Sequence, residues 1–184
     1  MSWHWYASQY KGRWYQRLIT PIATTFVLFY LYLGAVSVNF LGLFGVMPSM
    51  ELLRNPIVNE ASYIYSADSV LMGKFFNENR SPVAFKDISP YVIDALISTE
   101  DERFYEHHGI DYKGLFAAGR DILNGNPRGA STITQQLVKN LFKIRSQYST
   151  GLLGKIPGLR IVVMKSKEWI TAVSYTHLRA HETP

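Results

Sequence analysis

Between Arg17 and Glu51 the chain carries no charged residue, and from Pro21 to Met47 it is dominated by Phe, Leu, Val, Tyr and Gly. About 20 predominantly apolar residues suffice to cross a bilayer, so a membrane helix is expected over residues 20–47. Lys11, Arg13 and Arg17 precede this run, and no acidic residue occurs before Glu51. Basic flanks stay on the cytoplasmic side, which puts residues 1–19 in the cytoplasm and everything beyond about residue 50 outside. Trp3, Trp5, Tyr6, Tyr10, Trp14 and Tyr15 suit the headgroup zone. A cleaved signal peptide would have an apolar core of roughly 7–15 residues and a small-residue cleavage site, and this run is far longer. A buried soluble helix would show a polar face, which this run lacks. The expectation is therefore a single-pass membrane anchor followed by one exported domain.

The remainder reads as mainly helical. Residues 48–62 form a juxtamembrane connector containing Pro56. Two short strands follow, Tyr63–Ser66 and Val70–Phe75, turning at Ala67-Asp68-Ser69. Asn77 to Pro82 is a polar loop. Ser89-Pro90 supplies a capping residue and a first-turn proline, and Val92, Ile93, Leu96 and Ile97 continue at helical spacing toward Glu100. A second helix is expected over Tyr112–Leu123, a turn-rich loop over Asn124–Gly129, and a third helix over Ser131–Lys143. In that third helix, Ile133, Leu137 and Leu141 lie opposite Gln135, Gln136, Lys139 and Asn140. A loop runs from Ser146 to Pro157, and a last helix begins near Leu159. The absence of cysteine rules out disulfides and thiolate metal sites. A net charge of +5 suits anionic lipid, a phosphorylated substrate or nucleic acid, and does not choose among them.

Two runs carry chemistry. The first is Glu100-Asp101-Glu102-Arg103-Phe104-Tyr105-Glu106-His107-His108-Gly109. The second is Gly129-Ala130-Ser131-Thr132-Ile133-Thr134-Gln135-Gln136-Leu137-Val138-Lys139-Asn140. Their patterns, Glu-Asp-x-x-Phe-x-x-His-x-Gly and Gly-x-Ser-Thr-Ile-Thr-Gln-Gln-x-x-Lys-Asn, resemble the first two motifs of the peptidoglycan glycosyltransferases. That domain occurs in class A penicillin-binding proteins and their monofunctional relatives. A third family motif, Arg-Lys-x-x-Glu, is matched partly by Met164-Lys165-Ser166-Lys167-Glu168, where methionine stands at the arginine position.

The resemblance implies a lysozyme-like, mainly α fold. It also implies polymerisation of lipid II into glycan strands at the outer face of the bacterial cytoplasmic membrane, with inversion and release of undecaprenyl diphosphate. Glu100 would be the base that deprotonates the acceptor hydroxyl. Lys139 would contact the donor diphosphate, helped by the helix start at Ser131-Thr132, with Gln135 and Gln136 in the same cleft. Asp101, Phe104, His107 and Gly109 would support the loop around Glu100. Glu168 would be the second catalytic carboxylate, and Lys165, Lys167 or Arg145 would supply the charge of the missing arginine. No cofactor is required, although a divalent cation, Mg or Mn, assists at the diphosphate in some members. The implied partners are lipid II, the growing glycan strand, membrane lipids and other wall-building proteins, with no nucleic acid.

Read without the resemblance, each residue has a plainer role. Glu100 would be a solvated surface charge, Lys139 an exposed lysine, and Lys165 with Glu168 a helical ion pair. His107 beside His108 lacks a third ligand nearby for zinc, and His4 says nothing. The resemblance spans residues 63–173 and leaves the domain incomplete. The tail, residues 174–184, matches nothing in the family and is expected to pack against nothing, and the truncated chain is expected to be poorly active. Two rivals remain: a glycan-cleaving lysozyme-like or lytic enzyme, which would not need the diphosphate-binding lysines, and a non-catalytic membrane scaffold for wall synthesis.

Overall fold

A computed structural model describes residues 14–56, 61–76 and 82–180. Lys11, Arg13 and the other residues before 14 therefore lie outside the described residues, as do most of the Asn77–Pro82 loop, part of the connector and the last four residues. The chain divides into two compact units, one of Met1–Met47 with Ser149–Ser166, the other of Pro48–Tyr148 with Lys167–Pro184.

In the first unit, helix α1 (Trp14–Ser37) contains one segment, Ile19–Ser37, long and apolar enough to cross a membrane. Pro21 lies within α1, and its carbonyl accepts the Thr25 hydroxyl at 2.8 Å. The helix stops at Ser37, ten residues short of the expected 47. Asn39 and Leu41 adopt left-handed backbone, and a short 3-10 turn covers Phe40–Gly42. The Asn39 side chain then accepts the Phe44 amide at 3.2 Å, fixing the exit turn. Apolar composition alone could not show this, because asparagine tolerates the left-handed region better than most residues. Val36, Phe44 and Val163 are buried in this unit, and the rings of Tyr32 and Phe44 meet edge to face at 5.7 Å. Leu152 and Leu153 donate their amides to the carbonyls of Gly42 and Leu43 at 3.3 and 3.0 Å. Two glycines permit this approach. Gly45 and Gly151 both have positive φ, and a Cβ on either would run into the backbone of Ser149 or Leu43 respectively.

The second unit holds the two motif runs. Ser49 caps helix α2 (Met50–Arg54) by accepting the Leu52 amide. Strands β1 (Ser62–Tyr65) and β2 (Leu71–Phe75) pair antiparallel with an irregularity between Ile64 and Tyr65. Helix α3 (Pro90–Glu100) has proline in its first turn, but the Ser89 side chain makes no capping bond. Helix α4 (Tyr112–Leu123) is capped by Asp111, whose Oδ1 accepts the Gly114 amide. Helix α5 (Ile133–Leu141) is capped by Thr132. Lys143 turns left-handed and separates the short helix α6 (Ile144–Gln147), so the expected helix over 131–143 is shorter than its pattern suggested. Helix α7 (Leu159–Ala180) begins in the first unit and ends in the second.

The core of the second unit gathers Leu53, Val138, Phe142, Ile144 and Ala172, with Leu52, Leu141, Tyr175 and Leu178 against it. The connector contributes Leu53 of α2 to this core, and one expectation changes. The tail does not pack against nothing, because Ser174–Ala180 continues α7. Residues three apart share a helix face, so Ala172, Tyr175 and Leu178 point into one core, and Tyr175 meets the Phe142 ring at 5.9 Å.

Candidate active site

Glu100 is the last residue of α3 and is exposed. The next residue turns out of the helix, and this places Asp101 under the turn rather than in solvent. Asp101 is only 7% exposed. Its Oδ1 accepts from His107 Nε2 at 2.9 Å, and its Oδ2 accepts the Ile133 amide, the first of α5, at 3.0 Å. A carboxylate at a helix N-terminus is favoured by the aligned peptide dipoles and by the otherwise unpaired amides. Asp101 therefore joins the first run to the start of the second.

A second joint lies at Gly109. Its carbonyl accepts both the Thr132 hydroxyl, at 2.7 Å, and the Gln135 side-chain amide, at 3.2 Å. With φ +92° the residue suits glycine, and a Cβ there would press on the Ala172 carbonyl and the Thr176 hydroxyl of α7. These joints set the register between the runs, and Gln136 Nε2 then donates to Glu100 Oε2 at 2.7 Å across it. Lys139, half-buried, follows Gln136 by one helical turn, on the same face.

This geometry revises several expected roles. Thr132 and Gln135 are each 2% exposed, and their donors serve Gly109. The Thr132 oxygen also accepts the Gln135 amide. Both hold the framework, and Thr132 also lines the cleft beside Ser131. The Ile133 and Gln135 amides are likewise taken by Asp101 and Thr132, so these helix-start donors are not available to a diphosphate. Gln136 alone of the glutamine pair reaches Glu100. Ser131 does face a cleft of about 170 Å³, which is also lined by Glu100, Arg103, Asp111 and Arg128.

Within that cleft Arg103 and Asp111 form an ion pair at 2.5 Å. The hydrogen bond from Arg103 holds the Asp111 carboxyl below its ordinary value, against the opposing effect of burial. Arg128 is anchored through its Nε to Asp121 at 2.8 Å. Neither arginine was singled out in the sequence. The pattern of the first run leaves the Arg103 position unspecified, and Arg128 sits in a loop that reads only as a turn.

Glu168 is 1% exposed on α7, and its Oε1 accepts Arg145 Nε at 2.7 Å. Of the three cations that could replace the missing arginine, Arg145 is thus ion-paired with Glu168, although α6 carries it well before the third motif. Lys165 is half-buried three residues before Glu168 on α7, within the first unit. Lys167 is fully buried, and burial pulls its ammonium from 10.5 down to about 8.

Comparison with known proteins identifies the family of the chain. The transglycosylase family model matches residues 68–182. Penicillin-binding protein 1A of Escherichia coli (strain K12) is 43% identical over 98 residues, covering 52% of this chain and 12% of that protein. Penicillin-binding protein 1F of Bacillus subtilis (strain 168) is 41% identical over 130 residues, covering 69% and 18% respectively. Penicillin-binding protein 1A of Haemophilus influenzae is 48% identical over 84 residues, covering 43% and 10%. The chain thus spans less than a fifth of the length of these relatives. No solved structure gives a significant match. The family match covers well over half of the chain and takes in both joined runs, and on that ground the chain belongs to the transglycosylase family.

Proposed function

We propose that this chain provides the catalytic carboxylates and diphosphate-binding cations of a peptidoglycan glycosyltransferase that polymerises lipid II. The observation that carries the reading is the 2.7 Å bond from Gln136 to Glu100, which joins the acidic end of one motif to the polar face of the other. The Gln136 amide occupies Oε2 and fixes the carboxylate plane, so Oε1 is the oxygen that takes the acceptor's hydroxyl proton. A positioned general base of this kind contributes about 10²–10⁴-fold. The deprotonated oxygen attacks the donor's anomeric carbon from the face opposite the lipid diphosphate, which leaves with its bonding electrons as the configuration inverts.

Charge gathers on the departing diphosphate, and cations held in advance stabilise it. Lys139 stands on the Gln136 face. Arg145 is steadied through Nε by Glu168 and keeps its two terminal nitrogens for phosphate oxygens, the geometry in which guanidinium excels. Glu168 therefore acts through Arg145 on the donor side. No three His, Asp or Glu side chains among the described residues come together as a ligand set. A divalent cation assisting at the diphosphate would be held mostly by the phosphate oxygens and water.

The substrate is lipid-linked, so the site belongs at a membrane. The Ile19–Ser37 segment supplies an anchor, and Lys11, Arg13 and Arg17 before it favour a cytoplasmic N-terminus with the catalytic residues on the outer face. Other wall-building proteins are natural neighbours there. A lytic or lysozyme-like enzyme would also use Glu100, but would gain nothing from Lys139 and Arg145. The complete protein carrying these residues, given purified lipid II, should yield glycan strands and release no soluble fragments from intact wall. Fragment release without polymerisation would establish the lytic alternative, and silence in both assays would favour a scaffold.

A further inference from the structure

Three buried polar atoms pair with no group among the described residues: His107 Nδ1, Gln135 Oε1 and the Thr171 hydroxyl. The His107 side chain is 8% exposed, and Gln135 and Thr171 are 2% and 1% exposed. Buried polar groups in native folds nearly always have a partner, in the protein or in ordered water.

All three sit around the Gly109 joint of the second unit. His107 lies two residues before Gly109 and is held through Nε2 by Asp101, whose other oxygen takes the first amide of α5. Gln135, in the first turn of α5, donates through Nε2 to the Gly109 carbonyl at 3.2 Å. Thr171 directly precedes Ala172, whose carbonyl lies 3.2 Å from the place of a Gly109 Cβ. Val138, one turn beyond Gln135, shares a buried core with Ala172 and so brings α5 against α7.

The chemistry of the three atoms is complementary to one small molecule. With the His107 proton on Nε2, given to Asp101, Nδ1 presents a lone pair. The bond to Gly109 fixes the Gln135 amide, so its other end, Oε1, is also an acceptor. Thr171 alone brings a hydrogen. On the same helix, Ser166 and Thr176 return their hydroxyls to the carbonyls of Val162 and Ala172, each at 2.9 Å. A buried helical threonine commonly does this. Thr171 does not, which keeps its hydroxyl for another partner.

We propose that one buried water binds at this joint, donating to His107 Nδ1 and Gln135 Oε1 and accepting from the Thr171 hydroxyl. Buried waters usually make about three hydrogen bonds, and this site offers two acceptors and one donor. A direct bond from Thr171 to Gln135 would still leave Nδ1 unpaired. The water ties α7, one turn after Glu168, to the joint that sets Glu100 and Gln136 in register. Thr171 is thereby a positioning residue for the helix that carries Glu168.

The full chain in detergent micelles, with nitrogen-15 in its histidine rings and glutamine side chains, tests this by NMR. His107 should carry its proton on Nε2, and the Gln135 amide should show magnetisation transfer from a long-lived water. Thr171→Val keeps the shape and removes the hydroxyl. It should shift both His107 Nδ1 and the Gln135 amide and abolish the water transfer, while Thr171→Ser restores all three. A shift at Gln135 alone would mean a direct Thr171 bond and overturn the water, and a shift at neither would place Thr171 outside the joint. If Thr171→Val does not fold, the unaltered chain decides: a proton on Nδ1, or no water transfer, overturns the proposal. In the complete protein carrying these residues, Thr171→Val should lower kcat for lipid II polymerisation several-fold with KM little changed, and Thr171→Ser should stay close to parental. Equal losses in both variants would overturn the positioning role. The resonances are read without substrate, so the water stands or falls separately from the polymerase reading.

Discussion

Asp101 does more to assemble the site than its place after the catalytic candidate suggests. Its two oxygens hold His107 and the first amide of α5, and hydrogen bonds to a charged group contribute roughly 1.5–3 kcal/mol each, more than neutral ones. Asp101→Asn keeps the shape and removes the charge. It should lower unfolding stability by about 1.5–3 kcal/mol in denaturant titrations, and polymerisation should fall with it as Glu100 and Gln136 lose register. Unchanged stability would remove this joint from the account. Lys167 gives a pH signature. Its folded value of about 8 lies below the ordinary 10.5, so between these limits the unfolded chain holds a proton that the folded one has released. Stability should therefore rise with pH across that window, with no slope from this residue below about 8. Lys167→Met should remove that rise, and identical pH profiles in thermal melts would contradict the burial of the amine. At this scale the sequence revealed residue types and not their partners. Glu100 and Gln136 could be read as site residues, but nothing in the pattern distinguished Gln136 from Gln135, whose side chain turns inward to Gly109.

Among elements, α4 over Tyr112–Leu123 and the start of α7 at Leu159 follow their sequence patterns, because helical spacing and flanking glycines or prolines encode them locally. The two ends that were misread depend on tertiary context. The exit from α1 is set by left-handed Asn39 and Leu41 within an otherwise apolar run. The last turns of α7 are set by a core that the local sequence does not display. Ending the chain after Val173 would remove Tyr175 and Leu178 from that core. Both side chains are half-buried against that core, so the shortened chain should melt measurably earlier than the intact one. An unchanged melting temperature would mean that these residues are passengers.

Taken whole, the molecule has an apolar helix long enough to cross a membrane and a second unit in which two motif runs are joined by Asp101 and Gly109. The class of fold was legible because membrane length and motif order are properties of composition and spacing. The internal joints were not, since a hydrogen bond between residues 101 and 133 leaves no local trace in either segment. The most direct test is lipid II polymerisation by the complete protein carrying these residues, compared with its Glu100→Gln form and with Lys139→Ala as a second arm. Glu100→Gln should cut the rate by about 10²–10⁴-fold while donor binding survives, whereas Lys139→Ala should weaken donor binding and rate together. Polymerisation by the Glu100→Gln protein at close to the parental rate would contradict the assignment of the base, and with it the proposed mechanism.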